Sequence, residues 1–245
     1  MAARFSGAVT ELHRWPVKSL GGEPAQRVRL DGRGFAGDRT HAIFDQHKGR
    51  SRRLTARQAP RLLSWGAAYV DAPDDQVEPE RPPAPWLTAP DGRRLAWGDP
   101  ALSTALEDDL GRPVTLLRDV NGQQDLSRSV LVTTEATLRA VERLLGRPLS
   151  LGRFRPNIHV SLDAPAFAEE DWEGGRIVIG DCELELLGPC LRCVIPTRDP
   201  DDPNDRWPEL MRWIYREHGG VFGINARAHA AATIARGDDA VVTLA

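Results

Sequence analysis

Trp15-Pro16-Val17-Lys18-Ser19-Leu20-Gly21-Gly22 breaks a run of alternating residues with a turn. Proline holds the residue before it extended, and two glycines allow backbone positions with positive φ. Lys18 and Ser19 are therefore expected on a turn that leaves a strand. Upstream, Phe5 to Leu12 alternates loosely and reads as that strand. Downstream, Ala25 to Leu30 alternates again, with Gly32, Gly34 and Gly37 marking turns. Asp38 to Asp45 reads as a strand opened by a charged pair, Lys48-Gly49 as a hairpin turn, and Leu54 to Gln58 as another extended run. Short strands between Gly-rich turns point to a β-barrel or sandwich.

Beyond this region the signals are mixed. Asp71 to Pro85 is rich in Pro, Asp and Glu and reads as an exposed loop rather than a folded element. Leu87 to Trp97 forms a hairpin around Pro90-Asp91-Gly92. A helix runs from Asp99-Pro100 to Leu110 and stops at Gly111, and Val114 to Leu117 is a strand. Ser129 to Val132 opens the second half as a strand. Thr133 or Thr134 then caps a helix carrying Leu138, Val141, Leu144 and Leu145 at helical spacing, up to Gly146. Ile158 to Leu162, Arg176 to Ile179 and Cys182 to Leu187 read as strands. A cysteine-bearing turn, Gly188 to Cys193, leads to a strand at Val194-Ile195. Arg198 to Asp205 is an acidic, Pro-rich loop. Trp207 to Glu217 is a helix with Leu210, Met211 and Ile214 inward, and Val221 to Ala230 and Val241 to Leu244 close the fold as strands. The class expected is mainly β with some helix, α+β, without a fixed-period repeat.

Composition narrows the function classes. With 245 residues, 41% hydrophobic and 27% charged, the chain is long and apolar enough for a buried core. A net charge of -3 and a pI near 6.1 argue against a protein held to nucleic acid by phosphate contacts. No apolar run approaches the roughly 20 residues of a membrane span. The N-terminal stretch carries Glu11 and lacks an apolar signal core. Three cysteines make no disulfide scaffold, so a reducing, cytoplasmic setting is expected. Lys18 and Lys48 are the two lysines, which leaves thirty arginines among the 32 basic residues. Lys18 is thus the more informative cation.

Cys190 and Cys193 form a C-x-x-C pair. A zinc ribbon would need a second pair of ligands, and only Cys182 and the scattered His159, His218 and His229 are at hand. A thioredoxin-like pair would want a βαβ context. Two readings stay open beside these: one cysteine as a soft ligand for a heavier metal, and two buried cysteines that only pack. Lys18, Arg39, Arg155 and Arg192 lie in four segments flanked by Gly or Pro, with Ser19, Thr133, Thr134 and Asn157 as neutral donors. Such positions project over a barrel mouth and suit an anionic heteroaromatic ligand; thirty arginines also fall on many turns by chance. Asp199, Asp201, Asp202 and Asp205 lack EF-hand spacing and read as a solvated loop. His41 and His159 are expected as satisfied, partly buried residues.

Three N-terminal strings, Trp15 to Glu23, Arg33 to Arg39 and Leu54 to Gln58, resemble the β-barrel domain that precedes MOSC domains. Four later strings, Phe154 to Ile158, Phe167 to Trp172, Ile179 to Asp181 and Gly188 to Cys193, resemble the MOSC domain itself, the molybdenum cofactor sulfurase C-terminal fold. The resemblance runs from about Glu11 to the C-terminus. It implies an N-terminal β-barrel-like domain over residues 1–122 packed on a MOSC β-barrel over residues 123–245.

The resemblance also implies a molybdenum–molybdopterin cofactor. Cys193 would be the metal ligand and the catalytic position. Lys18, Ser19, Arg39, Thr133, Thr134, Arg155, Asn157, Leu191 and Arg192 would surround pterin and phosphate, and Cys190 would support the turn. Leu191, where mammalian relatives have a small polar residue, would contribute backbone contacts and packing. Glu169, Glu170, Asp171 and Trp172 are candidates to line the substrate entrance; their match to the family implies a structural turn near the site, with Trp172 half-buried. Relatives of the mitochondrial amidoxime reducing component type reduce small N-hydroxylated compounds; two electrons and two protons release the oxygen as water. The chain to Ala245 carries no ferredoxin-type cysteine set, so a separate electron donor is expected, a flavin reductase, a ferredoxin or a cytochrome b5-like protein. It also lacks an aminotransferase-like desulfurase domain, which makes its chemistry pyridoxal phosphate-independent. The alternative is a carrier that handles the cofactor, or its sulfur, for other enzymes. No nucleic acid and no membrane span are expected.

Overall fold

The structure is a computed structural model that describes residues 3–70, 72–120, 128–200, 202 and 205–244. In chain order its elements are β1 (Arg4–Arg14), β2 (Glu23–Ala25), β3 (Arg27–Asp31), β4 (Gly34–Phe35), β5 (His41–His47), β6 (Arg50–Arg53), β7 (Gly66–Ala68), β8 (Trp86–Thr88), β9 (Arg94–Ala96), α1 (Pro100–Leu110), β10 (Thr115–Arg118), β11 (Val130–Thr134), α2 (Glu135–Leu145), β12 (Ile158–Leu162), β13 (Arg176–Ile179), β14 (Cys182–Leu191), α3 (Pro208–His218), β15 (Val221–Ala228), β16 (Ala232–Ala235) and β17 (Asp239–Thr243). The protein is mainly β with three α-helices among the described residues, as the alternation predicts.

Seven strands close a barrel in the order β12-β11-β15-β14-β13-β17-β1, with β1 returning to β12 and β2 appended to β1. Neighbours are antiparallel except β11 and β12, which run parallel. A parallel neighbour needs a crossover, and α2 lies in the segment that connects the two. β11 is buried at all five residues, which explains its apolar run without alternation. β1 alternates only loosely because its register on β12 shifts between Val9 and Glu11. That bulge lets Val9 and Leu12, three residues apart, both enter the core. The barrel is filled by Val9, Leu12, Val130, Val132, Ile158, Val160, Ile177, Leu184, Leu186, Ile224 and Val242 among others.

Three small sheets complete the fold: β10-β5-β6, β7-β8-β9 and β16-β3-β4. With α1, the first two surround a second core of Val17, Leu20, Ile43, Leu54, Leu62, Trp65, Leu87, Leu102 and Leu106. The halves of the chain are interleaved. β1 lies before residue 122 yet closes a barrel otherwise built from residues 130–243, and β16 pairs with β3. The expected division between residues 122 and 123 itself falls outside the described residues.

Several expectations are corrected. Leu54 to Gln58 is not extended but a tight turn, because Gln58 folds back so that its Oε1 accepts from Thr55 N at 3.1 Å and from the Thr55 hydroxyl. The cysteine string is not a free turn. β14 runs on to Leu191 through two register shifts, made possible by Gly188 at φ +135°. Val194-Ile195 is no strand; Pro196 sits in a single 3₁₀ turn, Ile195–Thr197. Asp71 to Pro85 is less exposed than its composition implies. Val77 is fully buried beside Tyr69 and Ala36, and the Asp74 carboxylate binds Gln26 N at 2.7 Å and Arg14 Nη2 at 3.5 Å; Asp71 lies outside the described residues. Trp172 is buried rather than half-buried and stacks on Phe5 at 5.8 Å. Asp199 and Asp205 form ion pairs with buried Arg153 at 2.9 and 2.5 Å, because a guanidinium supplies their counter-charge; Asp201 lies outside the described residues. β16 escaped the sequence reading because four residues show no alternation long enough to count.

Candidate functional site

The turn after β1 is fixed from both sides. Val17 and Leu20 are wholly buried in the second core. Lys18 N donates to His41 O at 2.8 Å, and Gly21 N to Trp65 O at 2.7 Å. Ser19 therefore adopts φ +74°, at a cost of about 1–2 kcal/mol for an L-residue. Burial of two aliphatic side chains, roughly 1.5–3 kcal/mol each, outweighs that strain. Gly22 is needed for close approach: a Cβ there would lie 2.4 Å from Arg14 O and 2.6 Å from the Trp15 ring. Apolar anchors at 17 and 20 leave Lys18 and Ser19 to line a cleft.

A second layer comes from Asp38 and Arg39. Asp38 forms an ion pair with Arg39 and also accepts from Trp15 N at 2.8 Å. Arg39 N donates to Trp15 O at 2.6 Å. Arg39 Nη1 reaches Asn157 Oδ1 at 3.3 Å, and Nη2 reaches Arg155 O at 3.2 Å. Asn157 Oδ1 also accepts from Leu131 N at 3.2 Å, so Asn157 joins the barrel to the guanidinium. Arg155 donates to Leu20 O at 2.6 Å and stacks over the Trp15 ring at 4.2 Å, a contact worth about 0.5–2 kcal/mol. Arg39 and Arg155 have φ of +51° and +53°. Among the described residues six non-glycines have positive φ, and three of them, Ser19, Arg39 and Arg155, line this one cleft. Backbone strain of this kind clusters at active sites and ligand clamps.

The third layer is the end of β14. Arg192 Nη2 donates to Phe154 O at 2.6 Å and Nη1 to Cys190 Sγ at 3.0 Å. Tyr215 Oη fixes the Arg192 carbonyl at 2.6 Å. Asn225 Nδ2 donates to Gly188 O at 3.4 Å, at the base of the string. No disulfide or hydrogen bond involves the Cys193 thiol among the described residues. Cys182 lies apart, buried in the barrel, where burial pushes its thiol up to about 11.

These layers enclose a cleft of about 270 Å³. It gathers eight of the expected residues: Lys18, Ser19, Arg39, Arg155, Asn157, Leu191, Arg192 and Cys193. It does not gather Thr133 and Thr134. The Thr133 hydroxyl meets His159 Nδ1 at 2.8 Å. Thr134 caps α2 by accepting from Thr137 N at 3.3 Å and donates to buried Glu169 at 3.1 Å. The Thr134 hydroxyl thus serves the start of α2, and that of Thr133 is taken by β12. Glu169 to Trp172 do not line the cleft either. The sequence reading missed Thr55, Arg57, Ser129 and Asn225, which do. Asn225 was visible as a polar residue in an apolar strand. Arg57 was hidden by reading its turn as extended.

The lining fits an anionic, metal-bearing cofactor. Five cationic side chains face the cleft and no carboxylate lines it. Arg192 Nε is buried and has no hydrogen-bond partner among the described residues. An unpaired buried donor costs about 1–3 kcal/mol, which an acceptor on a ligand would offset. A thiol without a partner stands beside it, and thiolate is a soft ligand suited to a thiol-loving metal. Lys18, Ser19, Arg39, Arg155 and Arg192 are the residues that could hold phosphate and pterin, and Cys193 the one that could hold the metal. No group of three or more His, Cys, Asp or Glu among the described residues is arranged as a metal site of its own.

Sequence comparison places this closed barrel, interleaved with smaller β units, in the MOSC class. Residues 114–241 match the model of the MOSC domain, and residues 6–90 match that of the MOSC N-terminal beta barrel domain; the chain belongs to the MOSC family. It is similar to mitochondrial amidoxime-reducing component 1 of Homo sapiens, 28% identical over 240 residues, covering 80% of this chain and 67% of that protein. Mitochondrial amidoxime reducing component 2 of Homo sapiens is 27% identical over 233 residues, covering 80% and 68%. The crystal structure of the YUAD protein from Bacillus subtilis shares the fold, with a TM-score of 0.50, 15% identity and full coverage of both chains. No helix among the described residues is long and apolar enough to cross a membrane.

Proposed function

We propose that the protein is a molybdenum cofactor-binding oxidoreductase that reduces small N-hydroxylated compounds with electrons from a separate donor protein. The observation that carries the reading is the convergence of Lys18, Ser19, Arg39, Arg155, Arg192 and Cys193, from four separated segments, on one cleft. Similarity to the two human amidoxime-reducing components supports this reaction class. When bound, molybdenum–molybdopterin supplies two-electron redox chemistry. The chain's own residues then have distinct tasks. Cys193 presents a thiol as metal ligand. Arg39 and Arg155, each locked by backbone carbonyls, bind phosphate by charge-assisted hydrogen bonds. Asn157 orients Arg39. Arg192 holds the end of β14 and presents its Nε to the ligand.

The test is metal analysis with pterin fluorescence on protein expressed in a host that makes the cofactor, followed by reduction of benzamidoxime with an artificial donor. Near-stoichiometric molybdenum and pterin with turnover is the expected result. Cys193→Ser should abolish metal retention while Cys190→Ser keeps most of it; equal metal in the two variants would remove Cys193 as ligand. Bound cofactor without turnover, together with transfer to an apo-molybdoenzyme, would replace the reductase by a cofactor carrier.

A further inference from the structure

We propose that Arg57 selects N-hydroxylated substrates bearing an anionic group, which it binds within the cleft. The inference rests on the reductase reading above. Four arginines line the cleft. Three are tied down: Arg39 to Asp38 and the Arg155 carbonyl, Arg155 to the Leu20 carbonyl, and Arg192 to the Phe154 carbonyl and Cys190. The Arg57 guanidinium makes no hydrogen bond or ion pair among the described residues, and the residue is exposed.

An exposed arginine on a loose loop would carry no information, but this one stands on a fixed turn. Leu54, Ala56 and Ala59 are buried under it. Gln58 N and Ala59 N both donate to Thr55 O at 2.9 Å, and Leu54 N donates to Ile43 O at 2.8 Å. The Thr55 hydroxyl accepts from Arg57 N at 3.4 Å. The backbone under Arg57 is thus already fixed, and an anion has only the side chain left to order.

Charge argues the same way. Lys18 and four arginines face the cleft without a lining carboxylate; Asp38, just behind, offsets Arg39. One cofactor phosphate leaves the field positive, which draws anions into the site. Leu191, 72% exposed, and Ile195 add an apolar surface to the same cleft. The substrate class that matches is an N-hydroxylated compound with an apolar or aromatic body and a carboxylate. Its N–O bond breaks with two electrons from the donor protein and two protons, giving the N–H compound and water, and the carboxylate is unchanged.

The experiment compares benzamidoxime with 4-carboxybenzamidoxime on cofactor-loaded protein, by calorimetric binding and by steady-state reduction with an artificial donor. Wild type should favour the carboxylated probe, and added salt should erode that preference alone. Arg57→Gln should raise Kd and KM for the carboxylated probe about five-fold, with the neutral probe unaffected and molybdenum and pterin content retained; Arg57→Lys should keep part of the preference. An equal change for both probes would overturn the inference. So would loss of pterin in Arg57→Gln, which would make Arg57 a cofactor ligand. If both probes bind to loaded protein and neither is reduced, the reductase reading fails, while the calorimetric preference still decides the role of Arg57.

Discussion

His41 shows how one residue behind the cleft makes stability depend on pH. Its carbonyl holds Lys18 N, its Nδ1 lies 3.0 Å from the Thr40 hydroxyl, and its ring meets Trp97 edge-on at 4.7 Å. Its Nε2 is buried without a hydrogen-bond partner among the described residues. Burial, and next the positive charge of Arg118, lower its pKa to about 4. The unfolded chain, with an ordinary histidine near 6.5, then binds more protons than the folded one between those values. Stability should therefore rise from pH 4 to about 6.5 and level off above, by at most roughly 3 kcal/mol from this group. Thermal melts of His41→Gln across that range should show a flatter slope than wild type; an identical slope would assign the pH dependence elsewhere.

At the level of elements, α2 is held by side chains that the sequence reading placed at the cofactor. Thr134 caps the helix and donates to Glu169, whose carboxyl is raised above the usual carboxylate range by burial. Thr137 donates to the same carboxylate at 2.8 Å. Thr134→Ala should cost about 1–3 kcal/mol in urea denaturation, from a lost cap and a poorly satisfied buried carboxyl, and leave pterin content intact. Unchanged stability with lost pterin would return Thr134 to the cofactor site. The helix itself was legible because Leu138 and Val141 repeat at its period and are buried. What its caps touch was not, because Glu169 lies 35 residues away in sequence.

For the whole molecule, the decisive feature is the strand that crosses between halves. β1 pairs with both β12 and β17 and so closes the barrel. We propose that residues 1–122 and 123–245 are units of sequence that do not fold separately. The second half alone would leave β12 and β17 with open edges, which invite aggregation. Residues 123–245 expressed alone should fail to give a monomer with a cooperative melt, and co-expression with residues 1–122 should restore one. A stable, monomeric second half by size-exclusion chromatography and circular dichroism would contradict this.

Local chemistry was sufficient for most of the strands, for the helices and for the turn that carries Lys18 and Ser19. Proline, glycine and alternation act within a few residues, so the sequence displays them directly. Cys190 and Cys193 were equally visible, but as a pair with several meanings. Their placement beside three strained residues from distant segments depends on barrel closure and on hydrogen bonds such as Arg39 to Asn157, 118 residues apart. Long-range contacts of that kind leave no local periodicity. The same reason explains why the sequence alone placed Thr133 and Thr134 at the cofactor and overlooked Arg57. A hydroxyl or a guanidinium is equally readable anywhere in a chain, and only tertiary structure decides which ones are already occupied.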